Sequence, residues 1–191
     1  MILKTSEEIE IMAEGGRRLA AVLRALQKEV CVGLVTRELD QRARELIREA
    51  GAKPAFLGYR PAGSKAPYGY ALCTSVGSTV VHGLPSEYAL EDGDVLKLDL
   101  GLLYKGFYVD SAVTVAVGTV DAASRKLIKT TREALERGIR EARPGKTLGD
   151  IGWAIASHIK RKGFSVVDVL TGHGIGRNLH EDPAVLNWGR P

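Results

Sequence analysis

The order helix, glycine break, threonine cap, helix, glycine stop occurs twice in this chain of 191 residues, over 6–51 and again over 121–163. An internal repeat at an offset of about 111 residues constrains the fold more than any single segment does. In the first copy Thr5-Ser6-Glu7-Glu8 reads as a capping box, followed by Ile9, Met12, Leu19, Leu23 and Leu26 at helical spacing. After the Val32-Gly33 break, Thr36 is the expected N-cap of a second helix with the stripe Leu39, Ala43, Leu46 and Ile47, stopped by Gly51. In the second copy Asp121 caps a helix carrying Leu127, Ile128, Leu135 and Ile139, stopped by Pro144-Gly145. Thr147 then starts another, with Ile151, Ile155 and Ile159, closed by Gly163. The first Gly stop is followed by a strand over 71–76 and by a hairpin over 95–117, divided at Lys105-Gly106. The same periodicity places a second hairpin at roughly 205–230. The expectation is one body over 1–191, made of a first pseudo-repeat, 6–118, and an incomplete second one, 119–191.

Composition removes several classes. Apolar residues are 45% and charged residues 26% of the chain, which excludes disorder, while 22 glycines point to strands and loops with special backbone needs. The N-terminus has no apolar core of signal-peptide length and no stretch approaches a membrane span, so a cytoplasmic protein without membrane contact is expected. Cys31 and Cys73 are too few for a disulfide framework and are expected as reduced thiols. The net charge of +4 permits contact with RNA, but the arginines fall on helices and read first as solvated faces.

The chemistry begins in the hairpin. Leu96, Leu98, Leu100 and Leu102 alternate with Lys97, Asp99 and Gly101, so Asp99 faces away from the leucines. With Lys105-Gly106 as a two-residue turn, Tyr104 pairs with Phe107 and Gly101 with Asp110, which sets Asp110 diagonal to Asp99 on one face. Two like charges there call either for an exposed face or for a divalent metal. His173 and His180 lie in the glycine-dense stretch 171–181, whose spacing fits neither a dinucleotide fingerprint nor a P-loop. No Gly-x-Ser-x-Gly elbow or zincin helix motif occurs. His82, in Val80-Val81-His82-Gly83-Leu84-Pro85, is a third candidate, with a structural role as its plain alternative.

Seven ordered motifs, among them Cys73-Thr74-Ser75-Val76, the His82 run, Leu98-Asp99-Leu100-Gly101, Asp110-Ser111-Ala112-Val113-Thr114 and Gly172-His173-Gly174-Ile175-Gly176-Arg177 with His180-Glu181, resemble type I methionine aminopeptidase. The resemblance runs from about Ser6 to the last residues. It implies an α/β (α+β) pita-bread fold: a pseudo-twofold, curved, mixed or antiparallel sheet with helices on its outer face, here with the second half incomplete. It also implies removal of the initiator methionine by attack of a metal-bound hydroxide on the scissile carbonyl. Two divalent ions (Co, Mn, Fe or Zn) are implied, with Asp99, Asp110 and His173 as ligands and Asp110 bridging. By the same resemblance His82 hydrogen-bonds near the scissile amide, His180 stabilises the oxyanion, and Cys73 and Tyr68 wall the methionine pocket. The implied partners are N-terminal methionyl peptides or nascent chains, with ribosome association, for a monomeric enzyme.

The sequence also departs from the family. Gly77-Ser78 stands where Asn-Glu is usual, which puts a monovalent-cation site in question, and the segment 60–70 is longer than usual, which affects the pocket roles of Tyr59 and Tyr68. The family's two glutamate ligands belong to strands that the repeat places after Pro191. The chain as written is therefore expected to hold at most one ion weakly and to be inactive. Two competing readings are an Xaa-Pro peptidase of the same fold and an inactive module that binds peptides, ribosome or RNA.

Overall fold

The computed structural model describes residues 2–61 and 63–191, which fall into two compact units. The larger comprises Leu3–Val120 with Ile175–Leu179. Thr5 caps α1 (Ser6–Glu29) as expected: its hydroxyl accepts from the Glu8 N–H, and the Glu8 carboxylate accepts from the Thr5 N–H at 2.8 Å. Thr36, however, is not the N-cap of α2 (Thr36–Glu49); Val35 is, and Thr36 is the first helical residue. The Thr36 hydroxyl donates to the Ser86 carbonyl and accepts from the Ser86 N–H, both at 3.0 Å, so a partner fifty residues away has displaced the local cap.

The sheet of this unit is antiparallel throughout. β3 (Val95–Tyr104) lies at its centre, β4 (Phe107–Ala116) runs along one side, and β2 (Leu72–Val76) and the short β1 (Lys53–Pro54) line the other. Lys105 and Gly106 both have positive φ, the two-residue turn that matches strand twist, and the register Tyr104↔Phe107 is the expected one. Leu96, Leu98, Leu100 and Leu102 are fully buried against Leu19, Leu23 and Leu26 of α1 and Leu39, Ala43 and Ile47 of α2. Each such leucine contributes about 2 kcal/mol of burial. Asp40 of α2, itself buried, accepts from the N–H groups of Ala71 and Leu72 and fixes where β2 begins.

The second unit is built mainly from Asp121–Gly174 and His180–Pro191. It contains α3 (Ala122–Glu141), α4 (Leu148–Arg161), β5 (Thr171–Gly174) and β6 (Glu181–Leu186). Asp121 caps α3 and Thr147 forms a capping box with Asp150 at the start of α4, as the sequence predicts. The face of α3 is different from the expected one. Thr130, Ala134 and Gly138 are buried, with Ile151 and Ile155 of α4 closed against Gly138, while Leu127, Leu135 and Ile139 are exposed. α4 has taken the small-residue ridge, where two helices approach closely, and the bulky ridge one residue on is turned about 100° away. The two ends of the glycine-dense stretch 171–181 fall in the antiparallel pair β5–β6, with His173 opposite Ala184.

Candidate metal and peptide site

The face of the larger unit's sheet opposite the leucines carries the chemistry. Cys73, Asp99 and Ala112 stand in one row across β2, β3 and β4, and Gly101 and Asp110 in the next, so both carboxylates and the thiol share a face. Burial, and then the Asp99 charge, push the Asp110 carboxyl up to about 7. The diagonal geometry predicted from the turn is therefore the observed one. Gly101 keeps this face open: a Cβ there would lie 2.8 Å from both Ala55 and the Phe56 ring.

Beside the carboxylates is a small apolar cluster of Ala55, Phe56, Cys73 and Leu179, with Tyr59, Tyr68, Tyr108 and Ile175 packed on it. Both pocket residues named from the sequence, Cys73 and Tyr68, belong to it. The Tyr68 hydroxyl donates to the Leu72 carbonyl at 3.0 Å, and burial pushes the Cys73 thiol up to about 11. Tyr59 and Tyr68 are joined by backbone hydrogen bonds, Tyr68 N–H to Tyr59 O and Gly58 N–H to Tyr68 O, both 2.8 Å, which close the long 60–70 segment at its base. Phe56, Tyr108, Ile175 and Leu179 escaped the sequence reading. Leu179 and Ile175 reach the cluster because Tyr108 N–H donates to Gly176 O at 2.7 Å and Arg177 is clamped: its guanidinium meets Glu8 at 2.6 Å and lies 4.8 Å over the Phe107 ring.

His82 sits exposed on the loop that follows β2, with φ of 59°, a left-handed conformation uncommon for a residue with a side chain. The next residue is fixed: Gly83 N–H donates to Ser75 Oγ at 2.9 Å, and Thr74 N–H to Gly83 O at 2.8 Å. In the second unit, His173 and His180 flank the β5–β6 turn with ring centroids 4.4 Å apart, and His173 Nδ1 lies 2.8 Å from the Gly174 carbonyl. The structure thus gathers the two aspartates with Cys73 and Tyr68 on one unit, and the two histidines on the other.

A divalent ion matches the donor chemistry of the aspartate pair: hard oxygens, partly desolvated, whose mutual repulsion a cation offsets. Among the described residues no group of three or more His, Cys, Asp or Glu is gathered to hold one. The arginines of α1 and α2 are largely ion-paired, Arg17 and Arg18 with Glu14, Arg42 with Glu29 and Glu45, and Arg44 with Asp40. That favours solvated faces over an RNA surface. No described helix is long and apolar enough to cross a membrane.

Comparison with known proteins gives a consistent set. Residues 10–191 match the model of metallopeptidase family M24. Methionine aminopeptidase 1 of Bacillus subtilis is 39% identical over the whole chain, which spans 75% of that protein. Methionine aminopeptidase of Clostridium perfringens is 42% identical, again over the whole chain and 74% of its own length. The crystal structure of the Thermotoga maritima methionine aminopeptidase superposes with a TM-score of 0.94 at 40% identity, covering all of this chain and 75% of that one. Prolidase from Pyrococcus furiosus shares the fold at a TM-score of 0.83 and 26% identity, with 53% of its chain covered.

Proposed function

The chain belongs to the methionine aminopeptidases of metallopeptidase family M24, and on that premise we propose that it removes N-terminal methionine from peptides and nascent chains in the cytoplasm. The observation that carries the reading is the diagonal Asp99–Asp110 pair beside the Cys73 cluster on one face of the sheet. Sulfur and aromatic rings suit a thioether side chain, and the closed cluster fits methionine better than a charged residue. In the proposal Asp99, Asp110 and His173 are ligands of a two-ion centre of Co, Mn, Fe or Zn. A divalent cation supplies Lewis-acid polarisation of the carbonyl and a water acidic enough to act at neutral pH. The chain's own residues do the rest: Cys73 and Tyr68 hold the methionine, His82 hydrogen-bonds at the scissile amide, and His180 steadies charge on the carbonyl oxygen. The proline-directed alternative finds less support, since the methionine aminopeptidases match at higher identity and over more of their length.

The test uses a hybrid in which this chain replaces the matched three quarters of the Bacillus subtilis relative. The hybrid with Mn or Co is expected to release methionine from Met-Ala-Ser and to leave Leu-Ala-Ser and Lys-Ala-Ser intact; equal rates on all three would refute the pocket. In the same hybrid, His82→Ala is expected to lower kcat roughly 10²-fold to 10³-fold with metal content unchanged. Alanine keeps the Cβ and hence the same backbone burden at this position, so the change reads the imidazole. Loss of metal with no separate kinetic defect would count against the role.

A further inference from the structure

Tyr68 and Cys73, the two residues placed at the methionine side chain, are joined by a short run of chain that α2 holds from outside the pocket. Asp40 and Arg44 stand one turn apart on α2, and Arg44 Nε donates to Asp40 Oδ2 at 2.8 Å. The other carboxylate oxygen, Oδ1, accepts from the N–H groups of Ala71 at 2.7 Å and Leu72 at 3.0 Å. The guanidinium Nη2 donates to the Gly69 carbonyl at 2.9 Å. One ion pair thus grips an acceptor and two donors within four consecutive residues. The grip bears directly on the pocket. Just before it, Tyr68 is bonded through its backbone to Gly58 and Tyr59, and its hydroxyl reaches forward to the Leu72 carbonyl at 3.0 Å. Just after it, Cys73 stands in β2 opposite Asp99.

We infer that the Asp40–Arg44 pair is a positioning device that sets the affinity of the pocket for the substrate's first side chain, by fixing Tyr68 and Cys73 relative to each other. This rests on the reading of the Cys73 cluster as a methionine pocket. The chemistry is specific: a planar guanidinium presents donors at fixed spacing, so it meets a carboxylate and a carbonyl at once, and the carboxylate keeps its second oxygen for amides. Charge-assisted bonds of this kind are roughly twice as strong as neutral ones. They hold a run, 69–71, that lies outside helix and strand. The effect falls on binding rather than on the carboxylates, because Asp99 and Asp110 belong to β3 and β4, whose register is fixed by the turn at Lys105-Gly106. Arg44 is half-buried and Asp40 buried, so Arg44 is the residue to change.

The test has two arms, both on Arg44→Met, which keeps the stem and removes the guanidinium. In the 191-residue chain, the Gly58 and Tyr68 amides are expected to exchange with solvent at least about 10-fold faster than in wild type, the loss that follows removal of a charge-assisted hydrogen bond. In the hybrid with Mn, KM for Met-Ala-Ser is expected to rise about 10-fold, with kcat within about twofold of wild type and Mn content unchanged. Unchanged exchange at Gly58 and Tyr68 would overturn the inference. So would a fall in kcat at constant KM, or a loss of Mn, since either would put the effect at the metal site or in the fold as a whole. If Arg44→Met does not fold, Asp40→Asn combined with Arg44→Met takes its place: the amide oxygen still accepts from Ala71 and Leu72, and no unpaired charge is left buried. A wild-type hybrid without turnover would count against the proposed function, while the exchange arm would still sustain or overturn the grip on Tyr68.

Discussion

Asp110→Asn is expected to abolish peptide hydrolysis in the hybrid, with at least a ~10³-fold fall in kcat or some 4 kcal/mol, while raising the thermal midpoint of the metal-free 191-residue chain above neutral pH. The opposite signs come from one geometry. With a divalent ion bound, each carboxylate is needed as a charged oxygen ligand, and an amide is a weak substitute. Without the ion, the two carboxyls share a face, and burial together with the Asp99 charge holds Asp110 at about 7 against an ordinary 3.8. A carboxyl whose folded value is raised binds its proton more firmly in the native chain. Its contribution to stability is therefore full below the unfolded value near 4 and is lost as pH rises through about 7. Metal-free wild type should lose stability between about pH 5 and pH 8, whereas Asp110→Asn, with no proton to give up, should lose less over the same range. Thermal scans in chelator at both pH values, and peptide assays with Mn, measure the two halves; equal pH dependence in the two proteins, or near-native turnover in the variant, would remove Asp110 from the site.

What the sequence could reveal was local. The Lys105-Gly106 turn pins the β3–β4 register, and from that register alone Asp99 and Asp110 fall on one face. The caps at Thr5, Asp121 and Thr147 are likewise read from neighbours within four residues. The misses are the places where a distant partner decides. Thr36 is drawn off by Ser86, and the buried face of α3 is chosen by α4, which accepts Ala134 and Gly138 and leaves the bulkier apolar ridge outside. Glycines removed the alternating pattern that would have announced β5. Leu179 joins Cys73 and Phe56 through a clamp between Arg177 and Glu8, 169 residues apart in sequence.

Expressed by itself, the 191-residue chain is expected to hold at most one divalent ion, weakly, and to release no measurable methionine. Ions such as Mn take several oxygen or nitrogen donors, and two adjacent ions need enough anionic ligands to offset four positive charges. Asp99 and Asp110 supply two carboxylates, and no group of three or more metal-binding side chains is assembled among the described residues. A single weak ion would not both hold the attacking water and polarise the scissile carbonyl, as a two-ion centre would. The same polypeptide exposes a row of large apolar side chains on α3, with Leu135 at 56% and Ile139 at 62% exposure, and Trp153 of α4 at 50%. A surface of that kind favours self-association, so the isolated chain should also form concentration-dependent oligomers and be less stable than the hybrid. Calorimetry with Mn or Co and a Met-Ala-Ser assay on both proteins decide the matter: two tight sites with ordinary turnover in the 191-residue chain would show that its own residues complete the centre.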